Sequence, residues 1–188
     1  MSMSCFPTSP RPWLAAVLAI AGVSDLAPAH AHQVWLENAG GQARLHFGEF
    51  NDNLRETSPG RLDQFKGVPL LEQQRTGAPA QRVDGQLGKD AFVYATTGSP
   101  DTLFATPTYP VIDRSKRNLP AMYWQPAARW VASLAKPVAP TAALDLVPTG
   151  KPGELKVVYQ GAPLPKAKVQ LAAPSGWTRE AEAGEDGT

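Results

Sequence analysis

Residues 33–47 read Gln-Val-Trp-Leu-Glu-Asn-Ala-Gly-Gly-Gln-Ala-Arg-Leu-His-Phe. Residues 33–37 have the composition of a short strand, residues 38–41 (Asn-Ala-Gly-Gly) that of a turn, and residues 43–47 that of a returning strand. The stretch therefore predicts an antiparallel hairpin. Its register follows the turn, and two turns are open. A hairpin centred on Ala39 places His32 opposite His46, whereas a two-residue Gly40-Gly41 loop pairs His46 with Trp35.

Further along the chain the same signature repeats. Short β-like pieces at 68–71, 81–83, 92–96 and 102–106 are broken by glycine and proline, and this spacing predicts an antiparallel sandwich of immunoglobulin-like character. Residues 108–120 read as a loop whose basic residues Arg114, Lys116 and Arg117 form a solvated face. Pro126 can open a helix, and Ala127, Trp130, Val131 and Leu134 follow at i, i+3, i+4 and i+7 spacing. The expectation is one sizeable helix over residues 126–135, its tryptophan packed on a sheet.

Pro137, Pro140, Pro148 and Pro152 then punctuate an extended connection, residues 137–153, around one short strand at 143–147. A second small β-module is expected from residue 154, with strands at 155–159, 167–172 and 177–183 and a turn at Asp186-Gly187. Three strands make a poor sandwich, so this module reads as truncated. The domain reading is a leader (1–31), an N-terminal β-sandwich (32–136), the connection, and the incomplete module (154–188).

The leader is inferred from residues 14–23, almost purely apolar, followed by Pro28 and the small-residue pattern Ala29-x-Ala31 of a secretory cleavage site. Cleavage after Ala31 makes His32 the new N-terminus; the alternative site, after Ala29, leaves His30 first. The apolar run falls short of the about 20 residues a membrane span requires. Cys5 is the only cysteine and lies before that run, which excludes thiolate metal sites, cysteine nucleophiles and disulfides from the exported chain. The formal net charge of +1 argues against nucleic-acid binding, which needs a basic face. The expected location is the periplasm or outside the cell, without a membrane span.

An N-terminal histidine offers an α-amino group and an imidazole, which titrate near ~8 and ~6.5 and yield their protons to a competing metal at neutral pH. His46 adds a second imidazole. The candidate metal ligands are accordingly His32 and His46, with Glu37, Glu49 and Asp52 as additional or supporting carboxylates. Three nitrogen donors suit Cu(II) and Ni(II) in a tetragonal arrangement, and Co(II) or Zn(II) less specifically. Such a set resembles the histidine brace of periplasmic copper carriers and copper oxygenases. The bland alternative is that His32 follows from an efficient cleavage site and His46 faces solvent. No nucleophile elbow, phosphate-cradling glycine pattern or paired catalytic carboxylates accompany it, so the chain reads as a non-enzyme. Tyr109, Trp124 and Trp177 could line a sugar-binding face, although buried packing is the better reading of each.

Several words of the sequence resemble one bacterial family. They are His32-x-x-Trp35-Leu36-Glu37 after a leader, Gly48-Glu49 after the first hairpin, Arg129-Trp130 and Ala135-Lys136, Leu144 to Pro148, and Gly161-x-Pro163-Leu164-x-x-Ala167-x-Val169 with Asp186-Gly187 beyond. The family is a periplasmic domain of unknown function described as the substrate-specific component of nickel and cobalt uptake systems. The resemblance implies a β-rich exported protein, nickel or cobalt as cofactor or cargo, and a membrane transport component as partner; with copper from the brace reading, the expected ligand is a divalent transition metal (nickel, cobalt or copper). Two other functions remain open: a metal-free β-sandwich module binding protein or glycan, and a copper oxygenase.

Overall fold

The computed structural model describes residues 32–188, so the leader and cleavage site expected from the sequence lie outside the described residues. The first hairpin forms from β1 (Gln33–Ala39) and β2 (Gln42–Glu49). Gly40 and Gly41 are the two loop residues, with φ of 58° and 75°. Two positive φ values match the right-handed twist of the flanking strands, and glycine accepts them without a Cβ clash. Of the two registers open in the sequence, the two-residue loop is the one formed, and it sets His46 opposite Trp35.

β2 is the spine of the first sheet. One edge pairs with β1; along the other edge, its first half pairs with β7 (Phe92–Ala95) and its end with the two-residue β3 (Leu54–Arg55). β6 (Gly85–Leu87) completes the order β1-β2-β7-β6. The second sheet runs β5-β4-β8-β9, from β4 (Leu70–Gln74), β5 (Gln81–Val83), β8 (Thr102–Thr106) and β9 (Ala128–Val131). Every pairing is antiparallel. β3 and β6 fall in stretches where the sequence shows no strand pattern, being only two and three residues long.

Alternation decides which side chains meet between the sheets. Leu36, Ala43, Leu45 and Phe47 face inward from the first hairpin, and Phe92 and Tyr94 from β7. Leu71, Leu103, Ala105 and Ala128 answer from the second sheet, with Leu62 and Phe65 closing one side. The architecture is mainly β and sandwich-like, as the turn spacing predicts.

Tyr94 is fully buried, and its hydroxyl donates to the Pro69 carbonyl at 2.8 Å. Tyr94→Phe leaves that carbonyl without its partner and is expected to cost about 1–2 kcal/mol in urea unfolding. A cost near zero would mean that water replaces the hydroxyl there.

The expected helix over residues 126–135 is not formed. Residues 128–131 are β9, paired with β8 so that Trp130 lies opposite Leu103 and Arg129 opposite Phe104. Ala128 and Trp130 turn toward the core with period two, while Ala127 and Leu134 of the supposed stripe are exposed. The open edge of β8 supplies backbone partners along the whole segment, and Trp and Val suit a pleated surface better than a short isolated helix. Tertiary pairing overrides an apolar spacing that a helix would share.

Beyond the sandwich, β10 (Leu144–Pro148), β11 (Leu155–Tyr159) and β12 (Ala162–Pro163) form a three-stranded sheet, and β13 (Lys168–Ala172) pairs with β14 (Thr178–Glu182) as a hairpin. β10, read from sequence as part of the connection, is therefore the first strand of this sheet. Lys116 and Arg117 lie in a 3-10 turn, Ser115–Arg117, and Arg114 directly precedes it, in the long loop before β9. Tyr109 and Trp124 pack against the core, while Trp177 is exposed. Among the described residues no helix is long and apolar enough to cross a membrane.

Candidate functional site

The register of the first hairpin decides where the two histidines go. Trp35 and His46 are cross-strand partners and share one face of the sheet; Val34 pairs with Phe47 and Leu36 with Leu45 on the other. His32 has the parity of Val34 and Leu36. It therefore belongs to the inner face, where its ring lies 4.9 Å from that of Phe47. His46 belongs to the outer face, stacked on Trp35 at 5.3 Å. The fold does not bring the two imidazoles together. A one-residue change of register would have put them on the same face, because side chains alternate with period two, and setting them directly opposite takes a shift of three residues.

At the inner-face corner His32 meets carboxylates instead. Its Nε2 lies 2.5 Å from Glu56 Oε1, and its Nδ1 lies 3.8 Å from Glu49 Oε1. Arg61 reaches the same corner, with Nη1 3.2 Å from His32 Nε2 and 3.8 Å from Glu56 Oε1. A carboxylate only accepts, so the short contact to Glu56 is a bond donated by Nε2–H, and Nδ1 then carries the lone pair. Backbone pairing holds the corner: Glu49 ends β2, and the Glu56 amide donates to the Phe47 carbonyl at 2.8 Å.

The outer-face group has different chemistry. His46 Nδ1 lies 3.1 Å from the Asp90 carbonyl oxygen, and its Nε2 faces Glu37 Oε2 at 3.4 Å. That second approach is an attraction only when the imidazole is protonated, and as it stands Nε2 is buried with no hydrogen-bond partner. Burial is the main influence that pushes the His46 imidazole below its ordinary value, against the pull of Asp90 and Glu37. Glu37 Oε1 accepts from the Trp35 indole at 3.1 Å and from Arg55 at 2.9 Å. Burial pushes this carboxyl up, but those two bonds and the neighbouring charges outweigh it and hold it below the usual carboxylate range.

Of the carboxylates singled out in the sequence, Glu49 therefore sits beside His32 and Glu37 beside His46. Asp52 is exposed in the 3-10 turn Phe50–Asp52. Glu56, Arg61 and Arg55 complete the two groups and carry no sequence signal of their own, lying 24, 29 and 18 residues from the partners they meet. Among the described residues, no three His, Cys, Asp or Glu side chains are arranged to hold a metal ion. The side chains at His32 do not by themselves form a metal site. Comparison with protein-family models, with curated proteins and with solved structures gives no match for this chain.

Proposed function

We propose that the exported, processed protein binds one divalent transition metal at its N-terminal His32 and serves as an accessory component of metal uptake. The ligands in this reading are the His32 α-amine, His32 Nδ1 and Glu49; His46 has no part in it. The carrying observation is the 2.5 Å contact between His32 Nε2 and Glu56, which leaves Nδ1 on the side of Glu49. A carboxylate that takes the far N–H of a ligating histidine fixes its tautomer and raises its basicity. The amine and Nδ1 of one histidine close a six-membered chelate ring around a single ion. Two nitrogens and a carboxylate accept Ni(II), Co(II), Cu(II) or Zn(II), so availability as well as affinity selects among them.

Cleavage after Ala31 is what frees the amine, and it supplies the donor that the side chains lack. Calorimetry with Ni(II) or Cu(II) is expected to give one site on processed protein and strongly weakened binding on protein that retains Ala31. Glu56→Gln is expected to weaken binding about 10- to 100-fold. Affinity falls as the pH is lowered, because protons compete for both nitrogens. Equal binding with and without the extension, or none at all, would remove the site.

The alternative, a metal-free module that binds protein or glycan, draws support from the exposed Leu144, Tyr159 and Leu171 of the C-terminal strands and from Trp177 just before β14. It becomes the better reading if titration shows no metal. A copper oxygenase built on two imidazoles has no geometric support, since His46 lies across the sheet.

A further inference from the structure

The outer face of the first sheet holds a titratable group that the His32 corner does not use. His46 is only 2% exposed. The Asp90 carbonyl can only accept, so the hydrogen of the neutral ring sits on Nδ1. Nε2 is then a bare lone pair, buried and unpartnered, with a carboxylate oxygen 3.4 Å away. Two acceptors face each other across that gap. One proton on Nε2 would convert the repulsion into a charge-assisted hydrogen bond.

Glu37 is already committed elsewhere. Its other oxygen takes the Arg55 guanidinium at 2.9 Å and the Trp35 indole at 3.1 Å, and Arg55 also lies over the Trp35 ring at 5.7 Å. Arg55 is half of β3, which pairs with β2 at only two positions. The Arg55–Glu37 bond thus ties this short strand across β2 to β1. We propose that His46, Glu37 and Arg55 form an acid-operated latch, in which a proton added at His46 Nε2 draws the Glu37 carboxylate away from Arg55 and loosens β3. The proton comes from solvent, and no covalent bond changes.

Opposing influences set where the latch operates. Burial and the Arg55 charge from β3 resist the proton, while Glu37 from β1 and Asp90 from the segment before β7 attract it; burial is the largest of these. A buried imidazole held below its ordinary value stays neutral at pH 7 and takes its proton as the pH falls below about 6.5. The stability contributed by neutral His46 is complete above that point and is lost on descent through it. Glu37, held below the usual carboxylate range, remains charged and able to receive the imidazolium. The residue after Arg55 is Glu56, which holds His32 on the opposite face, so loosening β3 reaches that corner as well. The latch itself does not depend on metal binding.

The test is a pH titration of the metal-free full chain, followed by NMR of the imidazole nitrogens and of the Arg55 Nε–H. With three histidines in the chain, His46 is identified by its absence from His46→Gln. In the wild type, Nε2 is expected to protonate below pH 6.5 while the Arg55 signal moves with the same midpoint. Glu37→Gln is expected to shift the His46 midpoint to lower pH, and Arg55→Gln to shift it to higher pH. The opposite signs separate a latch from simple packing, and Arg55→Gln serves if Glu37→Gln fails to fold. An imidazole that stays neutral until the protein unfolds overturns the proposal. So does an Arg55 signal indifferent to the titration, or a His46 midpoint that neither substitution moves.

Discussion

Arg129→Ala is expected to destabilise the protein by about 3–5 kcal/mol, read as a shift in guanidinium unfolding. Arg129 leaves β9 on the side away from the core and meets Asp145 of β10 in a bidentate pair. Nε donates to Oδ1 at 3.0 Å and Nη2 to Oδ2 at 2.5 Å, with both side chains almost wholly buried. Nη2 also donates to the Thr141 hydroxyl, and the guanidinium lies over the Phe104 ring at 4.8 Å. Asp145 in turn accepts the backbone N–H groups of Thr141 and Ala142.

The substitution strands a buried carboxylate whose main charge partner is gone, and that penalty accounts for the size of the effect. Removing both charges together, as Arg129→Met with Asp145→Leu, is expected to cost much less, which distinguishes a stranded charge from lost packing. The pair also predicts a pH dependence. Burial pushes Asp145 up, but Arg129 and the two amides outweigh it and hold the carboxyl below its ordinary value of 3.8. A depressed carboxylate contributes fully above the unfolded value, and the contribution is lost as the pH falls through the lower folded one. The tie between the sandwich and the following sheet should therefore survive at pH 5 and fail only well below pH 4.

Gly48→Ala is the second large effect, with an expected cost of about 3 kcal/mol concentrated at one corner. Gly48 has φ of 150°, and a Cβ there would stand 2.2 Å from the Leu54 carbonyl oxygen and 3.2 Å from Arg55 Cα. These are backbone atoms of β3 and cannot rotate aside. β3 must leave β2, and Glu56 leaves His32 with it. The Glu56 amide, bonded to the Phe47 carbonyl, should lose its protection from hydrogen exchange, while core amides of β8 keep theirs. Gly153→Ala is the control, since its φ of 75° is also unfavourable but no atom lies within 4 Å of the added carbon. Equal losses at the two sites would mean that backbone strain, not the clash with β3, is responsible.

Both effects bear on how much of this protein is legible along the chain. Alternation and turn residues locate most strands, because a half-buried strand must show period two and a reversal must use glycine, proline or asparagine. Residues 81–83, 102–106 and 155–159 coincide with β5, β8 and β11. The two glycines at 40 and 41 likewise mark the first hairpin before any tertiary contact is known. The candidate site is legible only in part. His32 and Glu49 can be named from the chain, but Glu56 and Arg61 are brought to His32 by β3 and the turn after it.

Sequence by itself determined a β-rich chain, the position of the first hairpin and the histidine that a leader cleavage would expose. Tertiary structure alone decided three things. The hairpin register put His46 on the face opposite His32, since a shift of one residue inverts every side chain. The free edge of β8 drew residues 128–131 into a strand, although their apolar spacing also satisfies a helix. Arg129 found Asp145 sixteen residues away across two sheets. The reason is common to all three: local periodicity specifies which way a side chain points relative to its own strand. Which strand lies alongside, and in which register, depends on contacts between segments that no short window of sequence contains.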